Sequence, residues 1–174
     1  MKRQAFNARS MRRLLNFWPP FWFNGIKVVA LSDDYRYAQV RLTDRFWRRN
    51  INGSQFGGSL FAMTDPIYPL MLMGALGKAY VVWDKKADID FIRPGHGVLT
   101  AEFWLSDDII NEIKEKTANG DKCFPEFLVI VKDQQGHVVC ELNRTIYVRK
   151  KKQYRPEALP AATRASQTND DNTA

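Results

Sequence analysis

A chain of 174 residues, 45% hydrophobic and 13% aromatic, has apolar material for one sizeable core and not for two. The charged share of 26% is ordinary, and the net charge of +7 sits mostly toward the two ends. Two cysteines, Cys123 and Cys140, exclude a disulfide framework and lack metal-ligand spacing, and no nucleic-acid-binding motif accompanies the basic residues.

Lys2, Arg3, Arg9, Arg12 and Arg13 precede any acid. Arg144, Arg149, Lys150, Lys151, Lys152 and Arg155 cluster near the other end. Such patches meet phosphates, anionic lipid or nucleic acid, or are simply solvated ends. Residues 9–17 fit a short basic helix whose apolar members are Met11, Leu14, Leu15 and Phe17. Trp18-Pro19-Pro20-Phe21-Trp22-Phe23 reads as a stiff aromatic hinge, because proline fixes φ and disfavours helix before it. This arm, residues 1–24, either packs on its own domain, covers a partner subunit or touches a membrane surface. Asn16, Pro19, Pro20 and Asn24 interrupt any apolar signal core, so a cytoplasmic protein is expected.

Residues 26–31 and 35–42 read as strands across the turn Ser32-Asp33-Asp34, and 43–55 as a polar loop. A stretch at about 57–76 is apolar almost all round, including Leu60, Phe61, Met63, Ile67, Leu70, Met71, Leu72 and Leu76. Its length suits a membrane span, but Asp65, Pro66 and Pro69 argue for a helix wrapped by other structure. Its methionines suit plastic core packing or an acyl pocket.

Residues 79–93 alternate, with Val81, Trp83, Ala87, Ile89 and Phe91 on the face expected to be buried and Asp84, Lys86, Asp88 and Asp90 opposite. Residues 97–105 alternate likewise. Ser106 can cap a short helix carrying Ile109, Ile110 and Ile113, which Gly120 closes. Residues 124–132 and 137–149 form a hairpin across Asp133-Gln134-Gln135-Gly136. In its second strand Val138, Cys140, Leu142, Ile146 and Val148 share a face, and Arg144 breaks the series. From about Tyr154 the chain is small and polar, so 154–174 is expected to be a disordered tail. The order of elements predicts an α+β domain over 25–153, an antiparallel sheet around one apolar helix.

The stretch richest in chemistry is Asn50-Ile51-Asn52-Gly53-Ser54-Gln55-Phe56-Gly57-Gly58-Ser59, followed by Asp65-Pro66. Two glycines entering a helix leave backbone N–H groups uncovered, able to bind a phosphate or stabilise an oxyanion. They can equally serve close packing of helix on sheet. Asp65, in the most apolar part of the chain, needs a partner, a use or an interface, or it caps a helix restarted at Pro66. His96 and His137 sit at expected turns, form no triad or zinc pattern, and are expected to be exposed. No serine lies in a nucleophile elbow, and no cofactor or metal is expected.

These residues resemble the phenylacetate-pathway branch of hotdog thioesterases: Asn50-x-x-Gly53, the Gly57-Gly58 pair opening an apolar helix, Asp65, and the strand Ala87-Asp88-Ile89-Asp90-Phe91-Ile92-Arg93-Pro94. A nearer resemblance is to an uncharacterised bacterial hotdog family whose members are described as tetrameric acyl-CoA thioesterases. Leu15-Asn16-Phe17-Trp18-Pro19-Pro20, Phe56-Gly57-Gly58-Ser59, Thr64-Asp65-Pro66, Val82-Trp83-Asp84-Lys85 and Tyr147-Val148-Arg149 carry it, over about residues 10–150. The resemblance implies a hotdog fold and hydrolysis of an acyl-CoA thioester at a subunit interface of a dimer or tetramer. In that reading the Gly57 N–H polarises the thioester carbonyl, and Asp65 of the facing subunit is general base or nucleophile. Asn52 or Asn50 holds the loop or the attacking water. Phe56, Gly58, Ser59 and Asp84 border the substrate; by charge alone, basic residues such as Lys85, Lys86 and Arg93 either attract the CoA phosphates or are solvent-facing strand charges. The branch has histidine where Phe56 stands, which favours a second reading as an acyl-CoA or fatty-acyl binder without catalysis.

Overall fold

The computed structural model describes residues 7–156. The first helix, α1 (Ala8–Phe17), starts where the Asn7 side chain accepts the Ser10 N–H at 2.8 Å. The expected aromatic hinge is instead a second helix, α2 (Pro19–Asn24). Trp18 is extended, as the residue before a proline must be, and the prolines occupy the first helical positions, where an N–H has no intrahelical acceptor anyway. Gly25, at φ 72°, closes the helix.

Seven antiparallel strands follow among the described residues: β1 (Ile26–Leu31), β2 (Tyr37–Leu42), β3 (Tyr80–Phe91), β4 (Leu99–Trp104), β5 (Lys122–Cys123), β6 (Glu126–Lys132) and β7 (Val138–Lys150). They form one sheet in the order β1-β2-β4-β6-β7-β3, with β5 paired to β7. The edge at β1 is covered by α1. Asn16 accepts from the Val28 N–H at 2.7 Å and donates to its carbonyl, and Arg12 donates to the Val29 carbonyl. These bonds occupy edge groups that would otherwise be open to another strand. The other edge is β3.

Two helices lie in the concave face, α3 (Gly57–Ala62) and α4 (Ile67–Leu76), while α5 (Asp107–Lys116) links β4 to β5, capped by Ser106 as expected. The apolar stretch over 57–76 is therefore broken by a turn at residues 63–66, with the second helix restarting after Pro66 as the proline suggested. Pro66 has no N–H to continue the ladder, and Thr64 turns its hydroxyl back onto the Phe61 carbonyl at 2.9 Å. The segment Gly57–Leu76 has a mean hydropathy of 1.2, enough for a membrane span by composition, but the turn divides it and half of that window is buried in the fold.

Leu60, Met63, Ile67, Met71 and Leu72 are buried in one cluster with Val40, Leu42, Leu99, Phe103, Val129 and Leu142 of the sheet. Tyr68 of α4 stacks on Phe127 at 4.0 Å and meets Phe103 edge-on at 5.3 Å. Each aromatic contact adds about 0.5–1.5 kcal/mol beyond the area it buries. Cys140 is a buried core thiol, pushed up to about 12 by its burial. The result is the hotdog fold, a sheet wrapped around an apolar helix.

Three further expectations change. Tyr35 precedes β2 and adopts φ 61° in the turn, its buried ring lying against Gly74 of α4. The loop at 43–55 contains a short 3-10 turn (Phe46–Arg48) and a bridge between Arg49 and Gln55. Tyr154 ends another 3-10 turn (Lys152–Tyr154), and the tail expected beyond it lies outside the described residues from 157 on, as do residues 1–6 with Lys2 and Arg3.

Candidate active site

The alternation along β3 contains a bulge that sequence periodicity does not show. Asp84 pairs with Ile146 and Lys86 with Thr145, leaving Lys85 outside the ladder. The extra residue shifts the phase of the strand by one. Trp83 consequently points outward, stacked on Tyr147 at 3.9 Å, instead of joining Ala87 and Ile89 on the inner face. Asp84 takes the inner position, opposite to expectation, with its side chain only 22% exposed.

On β7 the inward register is Cys140, Leu142, Arg144, Ile146 and Val148, all buried. Arg144, which breaks the apolar series of that strand, is 1% exposed and is the central group of the site. Its Nε and Nη2 donate to Thr64 Oγ1 at 3.1 and 2.8 Å, and Nη2 also donates to the Phe61 carbonyl at 3.2 Å. Its guanidinium lies 5.0 Å from the Phe61 ring centroid. Its Nη1 lies 3.5 Å from Asp65 Oδ1 and 3.2 Å from Asp84 Oδ1. One buried cation thus faces two carboxylates, and a buried cation is stable only with such partners.

The two acids are held differently. Asp65 is in the turn between α3 and α4, with its side chain 49% exposed. It does not cap α4: the residue before that helix is Pro66, and no side chain caps it. Asp84 Oδ1 is buried and, although near Nη1, has no well-directed hydrogen bond among the described residues. Burial pushes the Asp84 carboxyl up to about 6 against the pull of Arg144, and the neighbouring Asp65 adds to the rise.

The loop before α3 is tied at several points. Asn50 Oδ1 accepts from the backbone N–H groups of Asn52 and Ser54, and Asn50 Nδ2 donates to Ser54 Oγ at 2.9 Å. Gln55 donates from its backbone to the Gly95 carbonyl and from its side chain to that of Gly97. Asn50 is therefore the residue that shapes the loop, and the Asn52 side chain stands in solvent. Ser59 is buried and donates to Asn24 Oδ1 at 3.0 Å, tying α3 to α2 and turning away from the surface.

Phe56, extended and exposed, precedes Gly57 and Gly58, the first two residues of α3. An α-helix leaves its first N–H groups without internal acceptors. The Phe91 ring flanks Gly57, 3.1 Å from where a Cβ would stand, and the Phe56 ring lies across Gly58, 2.3 Å from its would-be Cβ. Lys85, Lys86 and Arg93 are exposed, Lys86 paired with Asp88 at 2.7 Å and Lys85 over the Phe124 ring. His96 and His137 are both exposed, as expected.

Among the described residues no group of three or more His, Cys, Asp or Glu is placed to hold a metal. A cavity of about 470 Å³ between α5 and β5–β6, lined by residues that include Ile113, Cys123 and Phe124, shares no residue with the Arg144 cluster.

Arg144 and Thr64 are the site residues that sequence reasoning passed over. The signal was present in two places: a cation at an inward position of β7, and an acid within the most apolar part of the chain. Each required a partner of the kind the other supplies.

Residues 7–148 match the family described as Domain of unknown function (DUF4442). No curated protein matches the chain. Among solved structures, a Pseudomonas aeruginosa protein described as of unknown function and a probable thioesterase is 20% identical, with a TM-score of 0.74 over 84% of this chain and 97% of that one. A Haemophilus influenzae thioesterase is 14% identical, TM-score 0.62, over 84% of this chain and 93% of its own. The E. coli PaaI protein from the phenylacetic acid degradation operon is 20% identical, TM-score 0.58, over 83% of this chain and 91% of its own. At these identities the likeness is one of fold.

Proposed function

The chain belongs to the family described as Domain of unknown function (DUF4442), and from that premise we propose that it is an acyl-CoA thioesterase whose site is shared between two subunits. The observation that carries this reading is Asp65, a half-exposed carboxylate fixed by a fully buried arginine at a break in the apolar helix. A carboxylate that is oriented yet reachable suits a general base.

Water attacks the thioester carbonyl carbon and gives its proton to Asp65. The Gly57 N–H holds the oxyanion, a contribution of about 3 kcal/mol for one such donor. Collapse breaks the C–S bond, and the CoA thiolate takes the proton back from Asp65. Arg144 positions Asp65 and touches no substrate. Asp84, raised to about 6, keeps a proton in mildly acid conditions, so the pair does not carry two full charges there.

One chain cannot bring both groups to one carbonyl. Gly57 opens α3 and Asp65 lies beyond its far end, and the six residues of that helix alone span about 9 Å. A second copy presenting its Gly57 to this Asp65 closes the gap. The β3 edge, which no strand pairs among the described residues, carries exposed Phe91 and Ile92 at its end and supports such an assembly. Lys85, Lys86 and Arg93, exposed on or just beyond β3, are the cations we assign to the CoA phosphates. The two cysteines, both unpaired, fit a reducing cytoplasm.

Thiol release across a panel of acyl-CoA chain lengths tests the proposal. Turnover with some chain length, falling about 10²–10⁴-fold in Asp65→Asn, is expected. No release from any member contradicts it. The alternative, binding without hydrolysis, draws on the Phe56 ring lying over Gly58 where the resembling branch has histidine. Calorimetry showing saturable acyl-CoA binding with no thiol released would favour that reading.

A further inference from the structure

We propose that the α1–α2 arm is a docking surface for an anionic lipid membrane. On α1, Arg12 and Asn16 are spent on the β1 edge, which turns the opposite face outward. That outward face carries Arg9, Arg13, Leu14 and Phe17, at helical spacing. Phe17 is 80% exposed, and on α2 Trp22 and Phe23 are 63% and 70% exposed. Large aromatics in such numbers are not left in water for the sake of the chain's own core, which buries Ala8, Leu15 and Phe21 of these two helices and packs Met11 at its margin.

Charge decides the occupant. No acid occurs before Asp33, while Lys2, Arg3, Arg9, Arg12, Arg13 and Lys27 all do. A second copy packed on this face would bring like charges together with no acid in the arm to pair them. An anionic leaflet supplies the missing charge, and the headgroup region accepts tryptophan and phenylalanine beside arginine. Nucleic acid would match the charge but leaves Leu14 and Phe17 without an apolar partner. The turn Phe46–Arg48 extends the same surface: Arg48 lies over Gly25 at the end of α2, and Phe46 and Trp47 are exposed.

The inference does not rest on the thioesterase reading, and its test does not use turnover. The full chain is sedimented with mixed phosphatidylcholine–phosphatidylglycerol vesicles and, separately, with phosphatidylcholine alone. Binding to the mixed vesicles is expected, weakened by added salt. Arg9→Glu with Arg13→Glu should lower it by more than about tenfold, since each basic residue at an anionic leaflet contributes about fivefold. Trp22→Ser with Phe23→Ser should abolish it while circular dichroism stays unchanged. No vesicle binding, or equal binding by both variants, overturns the inference. So does a change of oligomeric mass in the aromatic variant by light scattering, or binding to duplex DNA in preference to vesicles.

Discussion

Arg144 of β7 places its Nη1 3.5 Å from Asp65 Oδ1, so a buried strand cation orients a carboxylate in the turn between two helices. The same nitrogen lies 3.2 Å from Asp84. Removing the cation leaves Asp84 buried without it, and breaking a buried pair from one side costs about 3–5 kcal/mol. Arg144→Met should lower stability by that amount in urea titration. Asp65, half exposed, finds water instead. Adding Asp84→Asn to Arg144→Met should recover part of the loss, and an equal or greater loss in the double variant counts against the pairing.

Asp84 also sets a pH dependence. Its carboxyl is raised from 3.8 to about 6, so the native chain holds a proton that the unfolded chain has released. The stability this lends is complete below about 3.8 and lost as the pH rises through about 6. Asp84→Asn should remove that slope. The check is the difference between wild-type and variant stability, followed from pH about 4 to about 7; a difference that does not change over this window contradicts the assignment.

At Gly57 the N–H can be deleted without breaking the helix. Gly57 is the first residue of α3, where proline is well tolerated, and Phe56 before it is already extended. The exposed Phe91 ring must shift by a few tenths of an ångström to admit the new carbons. Gly57→Pro should keep its circular dichroism spectrum and lose about 10²–10³-fold in turnover. Full turnover in a folded variant removes this N–H from the mechanism.

Gly74 tests the core independently of any site. A Cβ there would stand 2.3 Å from the Tyr35 ring, which is buried on a residue of positive φ and has little freedom to withdraw. Gly74→Ala should destabilise by about 1–3 kcal/mol in thermal or urea unfolding, as overpacking does. A neutral substitution would mean that the ring is not held there.

Much of the fold was legible because its elements obey simple periods. The strands at 26–31 and 97–105, the Ser106-capped helix and the last hairpin all follow from alternation, capping and turn residues. What was lost depended on single residues that interrupt a period. Lys85 bulges out of β3 and sends Asp84 to the inner face, against a strict count of two. Pro66 splits the central helix as its missing N–H suggested, but Asp65 beside it does not become the cap, while Pro19 and Pro20, which suggested a hinge, begin a helix because they stand at its first positions. Arg144 looked like a flaw in an apolar face when that strand was considered alone. Its meaning depends on Asp65 and Asp84, 79 and 60 residues away in sequence, and only the folded sheet brings the three together.

The shared site is tested most directly by mixing two inactive variants. Asp65→Asn and Gly57→Pro are purified separately, confirmed to be folded, combined under conditions that exchange subunits, and assayed for thiol release from the best acyl-CoA of the panel. If Asp65 of one subunit works with Gly57 of the other, each mixed dimer contains one intact site. Activity should then return to about a quarter of wild type when half the dimers are mixed. A mixture that exchanges subunits yet is no more active than the sum of its parts contradicts a site built from two chains.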